Sequence, residues 1–455
     1  MNDWSEIPSV EKLLQSDEAQ SLSSQFGRPF VISEIREELE IIRSGISRGI
    51  KSQDLASILD KVKERLKSIS TYSIRPIINA TGVILHTNLG RAPLSQSAMQ
   101  AVLSGLSGYS TLEYDIVAGD RSHRCDHSER LLQKLLGVES ALVVNNNAAA
   151  VLLVLSALAN ERRVVISRSQ LVEIGGGFRV SDILRQSGAK LVEIGATNRV
   201  HLSDYQNALL EPTGLVLHVH SSNFKIIGFT SEPTLTEIAR ISHEAGVPMV
   251  DDLGSGALLD TSRFGLTHEP TVQESLAAGV DVICFSGDKL FGGPQSGVIV
   301  GKKQYLDKIK RHPLARAVRA DKTLLLGLEA TLLHYLMDEA IREIPVWKMI
   351  ASPLDELQIR VEKWQKFLHC GEVCKNFSTI GGGSLPEETL PTWVLAISIN
   401  KPAELASRLR SQSPGVIARV QDEKVVFDPR SVLPDQDDVL VSIIQKTLEE
   451  HRQKK

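Results

Sequence analysis

Between Asp281 and Pro294 an apolar run (Val282, Ile283, Cys284, Phe285) ends in Ser286, Gly287 and Asp288. It then delivers a single lysine, Lys289, and meets a Gly292-Gly293-Pro294 turn. A lysine held at a buried strand end loses hydration, so its pKa falls and a neutral amine becomes available to attack an aldehyde. Upstream, an apolar run at 247–250 leads into Asp251, Asp252 and Gly254. A carboxylate there can pair with a protonated pyridine nitrogen, or cap the helix that follows. Further upstream, 141–144 is a third apolar run, followed by Asn145, Asn146, Asn147 and then Ala148, Ala149 and Ala150. That is a strand, a polar turn and a helix start, and backbone N–H groups at such a start hold phosphate. In chain order these elements supply a phosphate cup, a pyridine partner and a Schiff-base lysine. That set is what pyridoxal 5'-phosphate (PLP) chemistry requires.

The elements around these residues alternate. Short runs rich in Val and Ile at 141–144, 164–167, 190–194, 215–219, 248–250, 282–285 and 297–300 are separated by stretches of helical character. Strands alternating with helices predict an α/β fold with a mostly parallel sheet, whose ligands sit at the carboxyl ends of the strands. After about residue 345 the pattern becomes a long polar helix, a Gly381-Gly382-Gly383 break and short strands at 392–399 and 416–420, which predicts a smaller α+β domain. Before about residue 70 the texture is helical. Ile32, Ile35, Leu39 and Ile42 form one stripe with Ser33 as its expected N-cap, and Leu55, Leu59, Val62, Leu66 and Ile69 form another. The expected organisation is therefore 1–70, 71–340 and 341–455.

With 455 residues the chain exceeds a single hydrophobic core, and its 42% hydrophobic and 23% charged content excludes collagen-like and disordered classes. Lys and Arg total 51 against 55 for Asp and Glu, a net charge of -4 that does not indicate nucleic-acid binding over the whole chain. A local excess exists. Between residues 43 and 67, Arg43, Arg48, Lys51, Lys61, Lys63, Arg65 and Lys67 face only Asp54, Asp60 and Glu64. No apolar run is long enough for a membrane span, and the polar N-terminus lacks a secretory layout, so a cytoplasmic location is expected. Cys125, Cys284, Cys370 and Cys374 fit a reducing compartment. Cys370 and Cys374 lie near His369, but their spacing is not that of a metal site and no second ligand pair follows, so no metal is expected.

Several stretches together are similar to bacterial selenocysteine synthases, the L-seryl-tRNA(Sec) selenium transferases. They are Asn79-Ala80-Thr81-Gly82, His86-Thr87-Asn88-Leu89-Gly90-Arg91-Ala92-Pro93-Leu94, Asn145-Asn146-Asn147-Ala148-Ala149-Ala150, Leu171-Val172-Glu173-Ile174-Gly175-Gly176, Asp252-Leu253-Gly254-Ser255-Gly256 and Gly381-Gly382-Gly383-Ser384-Leu385-Pro386. The resemblance implies the PLP-dependent aminotransferase-like fold, fold type I, with a small N-terminal helical domain that binds tRNA. By it, Lys289 holds PLP, with Asn146, Asn147, Ser286 and Asp252 also at the cofactor and Asp251 the alternative partner of the pyridine nitrogen. Arg91, Arg316 and Arg319 would hold the selenium donor, selenophosphate. Arg316 and Arg319 fall three residues apart, on one face if helical, and guanidinium forks suit a phosphate-type anion. Where the family usually shows Arg-Gly-Ser-Arg, this chain has Arg121-Ser122-His123-Arg124, with His127 a structural partner of that loop. The side chain stacking on the PLP ring is expected within 169–173.

The resemblance further implies conversion of seryl-tRNA(Sec) to selenocysteinyl-tRNA(Sec) through an aminoacrylyl-tRNA intermediate. It implies a homodecamer built as a pentamer of dimers, with no DNA and no membrane partner. Two other classes compete: a PLP-dependent lyase or desulfurase acting on a free amino acid, and an RNA-binding protein with a degenerate PLP fold. The first leaves the N-terminal lobe nothing to do, and the intact Lys289 opposes the second.

Overall fold

The apolar stripes of the N-terminal segment fold into helices at Val10–Leu14, Asp17–Phe26, Arg28–Ile46 and Leu55–Ser70. Ser9, Ser16 and Asp54 cap three of them, each side chain accepting from a backbone N–H in the first turn. Ser33 is not a cap: the third helix starts at Arg28, with Pro29 in a first turn that has no need of its missing N–H, so Ser33 lies inside it. Leu13, Leu22, Val31, Ile35, Leu39, Ile58, Leu59, Val62 and Leu66 form the core of this lobe, while Ile69, last of its stripe, is exposed. Glu34 and Glu38 are buried among them and meet Arg65, which lies near both, and Lys61, which is 3.5 Å from Glu38. The structure, a computed structural model, describes residues 7–46, 54–174 and 177–453, so Arg48, Lys51, Gly175 and Gly176 lie outside the described residues.

The chain divides into two compact units, Met1–Pro76 and Ile77–Lys455. The second holds two large sheets. In the seven-stranded sheet the order is Ser140–Val144, Gly297–Gly301, Val282–Ser286, Met249–Gly254, Thr213–Val219, Arg163–Ser167 and Lys190–Ile194. All its neighbours pair in parallel except Gly297–Gly301, which runs antiparallel to both of its partners. The central strands are buried on both faces, which is why they read as continuous apolar runs rather than alternating ones. Asn147–Ala159 is apolar on every side and packs against this sheet, burying Leu153, Val154 and Leu155 at about 1.5–3 kcal/mol each.

The six-stranded sheet has the order Ile77–Ala80, Gly415–Gln421, Lys424–Phe427, Thr389–Ser398, Glu372–Gly381 and Val83–Leu85. The two strands at 77–85 fall in the expected middle segment 71–340, yet they pair with the C-terminal strands. They are too short for their pairing to be read from their own pattern. The motif that follows them is thereby anchored to the C-terminal sheet.

Candidate active site

Lys289 lies just beyond the Val282–Ser286 strand, in a turn fixed at both ends. Gly287 N donates to Ser296 O at 2.9 Å, Leu290 N to Ser255 O at 3.0 Å, and Gly293 N to Gly287 O at 2.8 Å. Behind the turn, Phe291 packs on Phe285 and Tyr335, the Tyr335 hydroxyl donates to Phe291 O, and Trp347 Nε1 donates to that hydroxyl. The lysine backbone is therefore held rigidly while its side chain, 8% exposed, reaches the strand ends. Burial lowers its pKa, against the opposing pull of Asp252 and with some help from Arg91.

Asp251 and Asp252 are neighbours on one strand, so they face opposite sides of the sheet. Asp251 turns to His218 Nδ1 at 2.7 Å and accepts from Ser275 Oγ at 2.7 Å. Burial would lower the His218 pKa, but the Asp251 carboxylate outweighs it and raises the pKa. Asp252 faces the lysine side and accepts from Asn147 Nδ2 at 2.8 Å. Desolvation pushes its pKa up to about 6, although Asn147 and Lys289 both favour the carboxylate. A carboxylate so short of solvent is relieved by a buried positive charge.

Asn146 caps the Asn147–Ala159 helix, its Oδ1 accepting from Ala149 N at 2.9 Å. Asn147 Oδ1 is buried without a hydrogen-bond partner among the described residues. Ser286, the last residue of its strand, is buried beside this turn, and a β-carbon on Gly297 opposite would meet Asn146 O at 2.2 Å. Around the lysine the wall is glycine. A β-carbon on Gly383, at φ +85°, would come 2.9 Å from Lys289 Nζ, and one on Gly254, at φ +70°, would come 3.9 Å from it. A glycine-lined cradle about the amine, the backbone N–H groups at the start of the Asn147–Ala159 helix and a desolvated carboxylate suit PLP, with its aldehyde, phosphate and pyridinium.

Arg91 follows Gly90 with φ 62°, a left-handed conformation costing about 1–3 kcal/mol in a non-glycine residue. Its guanidinium donates to Asp288, the residue before the lysine, at 2.8 Å. Arg316 and Arg319 are elsewhere, lining a cleft of about 830 Å³ together with Arg121, Arg124 and Arg311. They do not share a helix face. The helix ends at Ala317, Asn145 N donates to Val318 O at 3.0 Å, and Arg319 bridges Val144 as extended chain. The β-bridge substitutes for helix continuation and ties Arg319 to the strand that carries the Asn145-Asn146-Asn147 turn. Ser122 does not adopt positive φ, so the residue standing for the family's glycine carries no left-handed strain. His127 lies 4.0 Å from Glu329.

Within 169–173, Gln170 is buried, donating to Glu232 and accepting from Val219 N. No group of three or more metal-binding side chains comes together among the described residues. Sequence reasoning missed His220 and Glu269, which approach to 3.3 Å, Glu269 being 3% exposed and close enough to raise the Lys289 pKa. His220 directly follows an apolar run, the position where the strand-end rule places ligand-contacting residues.

A family description, L-seryl-tRNA selenium transferase, matches residues 77–433, and another, the selenocysteine synthase N-terminal segment, matches 5–43. The chain is 43% identical to an L-seryl-tRNA(Sec) selenium transferase of Geobacter sulfurreducens, over 98% of this chain and 99% of that one. To the transferase of that name in Pasteurella multocida it is 43% identical, covering 98% and 100%. Among solved structures, a D-glucosaminate-6-phosphate ammonia-lyase superposes with a TM-score of 0.59 at 19% identity, over 83% of this chain and 96% of that one. That likeness speaks for the fold alone.

Proposed function

The chain belongs to the L-seryl-tRNA selenium transferase family, and we propose that it converts L-seryl-tRNA(Sec) to L-selenocysteinyl-tRNA(Sec) with Lys289 as the residue on which the reaction turns. PLP is the cofactor, supplying when bound an aldehyde for amines and an electron sink for the bond broken at Cα. The observation that carries the reading is the buried Lys289 amine on the same side of the sheet as the buried Asp252 carboxylate.

Lys289, its pKa lowered, offers a neutral amine first as nucleophile and then as the base that takes the seryl Cα proton. Asp252 would pair with the pyridine nitrogen and offset its positive charge, with Asn147 Nδ2 keeping the carboxylate oriented. Asn146, Ser286 and the N–H groups at the start of the Asn147–Ala159 helix, that of Asn147 included, would receive the phosphate. The donor we read as selenophosphate, held by Arg316 and Arg319 and by Arg91 beside the lysine; clustered guanidinium groups are what an oxyanion needs. The tRNA we assign to the 1–70 lobe, which the family's N-terminal description overlaps. A pentamer of dimers in the cytoplasm completes the reading. It is supported by the family resemblance and by exposed Met99, Leu103 and Leu106 on one helix, which leave apolar surface for a second copy.

The test is selenium transfer to seryl-tRNA(Sec), assayed beside turnover of free serine and cysteine. Activity on the free amino acids alone would replace this reading with a lyase or desulfurase.

A further inference from the structure

The arginine cleft already holds a carboxylate. Glu113 Oε1 accepts from Arg124 Nε at 2.9 Å and lies 3.5 Å from Arg319 Nη1, while Oε2 accepts from Arg121 Nη2 at 3.0 Å. Three guanidinium groups on two oxygens is the coordination that a small oxyanion seeks. Arg124 lowers the Glu113 pKa, so the group is ionised at neutral pH. Glu113 belongs to a surface segment whose short hairpin, Tyr114–Asp115 with Asp120–Arg121, presents Tyr114, Ile116 and Val117 to solvent. A segment burying so little apolar surface opens at small cost.

We propose that Glu113 is an internal competitor for the donor's oxyanion: its carboxylate and a phosphate-type anion take the Arg124–Arg319 guanidinium groups in turn. The inference rests on reading Arg316 and Arg319 as part of the donor site. Donor binding displaces Glu113 and releases the hairpin. The device is also a filter. A singly charged anion with two oxygens gains nothing over the resident carboxylate, whereas a phosphate-type dianion with three terminal oxygens does. Arg319 keeps its backbone place in both states, because its bridge to Val144 fixes it beside the Asn145-Asn146-Asn147 turn whichever anion it holds.

The probe is inorganic phosphate, titrated at low ionic strength into the PLP-loaded enzyme, where the cofactor's own phosphate site is filled. Glu113→Gln keeps the size and removes the charge. It should tighten phosphate binding about fivefold to tenfold, the gain for a site otherwise open a fifth to a tenth of the time, and lower the KM for selenophosphate in step. Arg319→Gln should weaken both. In the wild-type enzyme, phosphate should speed hydrogen exchange across 110–121, and Glu113→Gln should exchange fast without it. If Glu113→Gln leaves phosphate affinity unchanged or weaker while Arg319→Gln weakens it, Glu113 only pins the hairpin and the proposal is overturned. If Arg319→Gln is also without effect, the donor-site reading fails and takes the proposal with it. Exchange in wild type that ignores phosphate overturns the displacement whatever the variant does.

Discussion

Two charged regions of the second unit are built on opposite terms. Lys289 and Asp252 are each 8% exposed and hydrogen-bonded or opposed by few groups, and both have pKa values displaced toward the neutral form. In the arginine cleft the Arg319 and Arg121 side chains are 42% and 76% exposed. The difference decides what each region can do. Desolvation is a large energy, so a buried amine can be tuned as nucleophile and base. Solvated guanidinium groups keep their charge and recognise an anion by number and geometry, at strengths that salt screens.

The largest effect should come from the buried region. Lys289→Ala should abolish the visible absorbance of lysine-linked PLP and reduce selenium transfer by at least the ~10²–10⁴-fold that a positioned acid–base group provides. It should still fold, since the change removes no core volume. Wild-type turnover by this variant would take Lys289 out of its role.

The two aspartates sharpen the contrast within one strand. Asp251→Asn breaks a buried pair with His218 and should cost roughly 3–5 kcal/mol of stability, seen as a lowered Tm, because it strands a charge without its partner. Asp252→Asn should fold at least as well as wild type yet slow the step at Cα. Its pH signature has a definite sign. The folded carboxyl keeps its proton up to about pH 6, while the ordinary value is 3.8, so the folded chain binds more protons between them. Stability of the cofactor-free protein should therefore fall as pH rises through that window, and Asp252→Asn should remove that slope. A slowed Cα step in Asp251→Asn alone would exchange the two roles.

How much of this was legible in the sequence follows the same division. The buried strands announced themselves: every one of the seven apolar runs is a strand of the seven-stranded sheet, and the residues after three of them meet at the lysine. The strand pattern also separates Asp251 from Asp252, because adjacent strand residues face opposite ways. What stayed hidden depended on partners distant in the chain. Nothing near Val83 says that its strand will pair with Thr379, and nothing near Arg319 says that Val144 will draw it out of a helix. Glu113 was invisible too, since an acid between Leu112 and Tyr114 gives no sign that Arg319, far along the chain, will join Arg121 and Arg124 around it.

Next in size are the exposed arginines. Arg316→Ala or Arg319→Ala should raise the KM for selenophosphate, each charge-assisted hydrogen bond removed costing roughly 1.5–3 kcal/mol, while loss of the seryl β-hydroxyl continues. The penalty should shrink as salt rises, which a defect at Lys289 would not do. Dehydration failing equally in these variants would assign the arginines to the tRNA or to the fold.

The smallest effects belong to the N-terminal lobe, where counting charges along the chain overstated the free positive surface. Glu38 lies 3.5 Å from Lys61, Glu18 lies 3.5 Å from Lys63, and Arg65 meets Glu34, Glu37 and Glu38, all acids that precede the 43–67 window in the chain. Lys67 has no such ion pair among the described residues. If the lobe binds tRNA, Lys67→Glu should weaken seryl-tRNA(Sec) binding and reduce the salt slope by about 0.7–0.9 for each phosphate no longer neutralised, with no change in Tm. Lys61→Glu should act differently, because it sets a carboxylate against the buried Glu38 and should lower the stability of the lobe by about 1 kcal/mol. Equal loss of tRNA binding and unchanged Tm in both variants would mean that Lys61 leaves Glu38 for phosphate when RNA arrives. No effect of Lys67→Glu on binding at any salt would move the lobe's role from RNA to assembly.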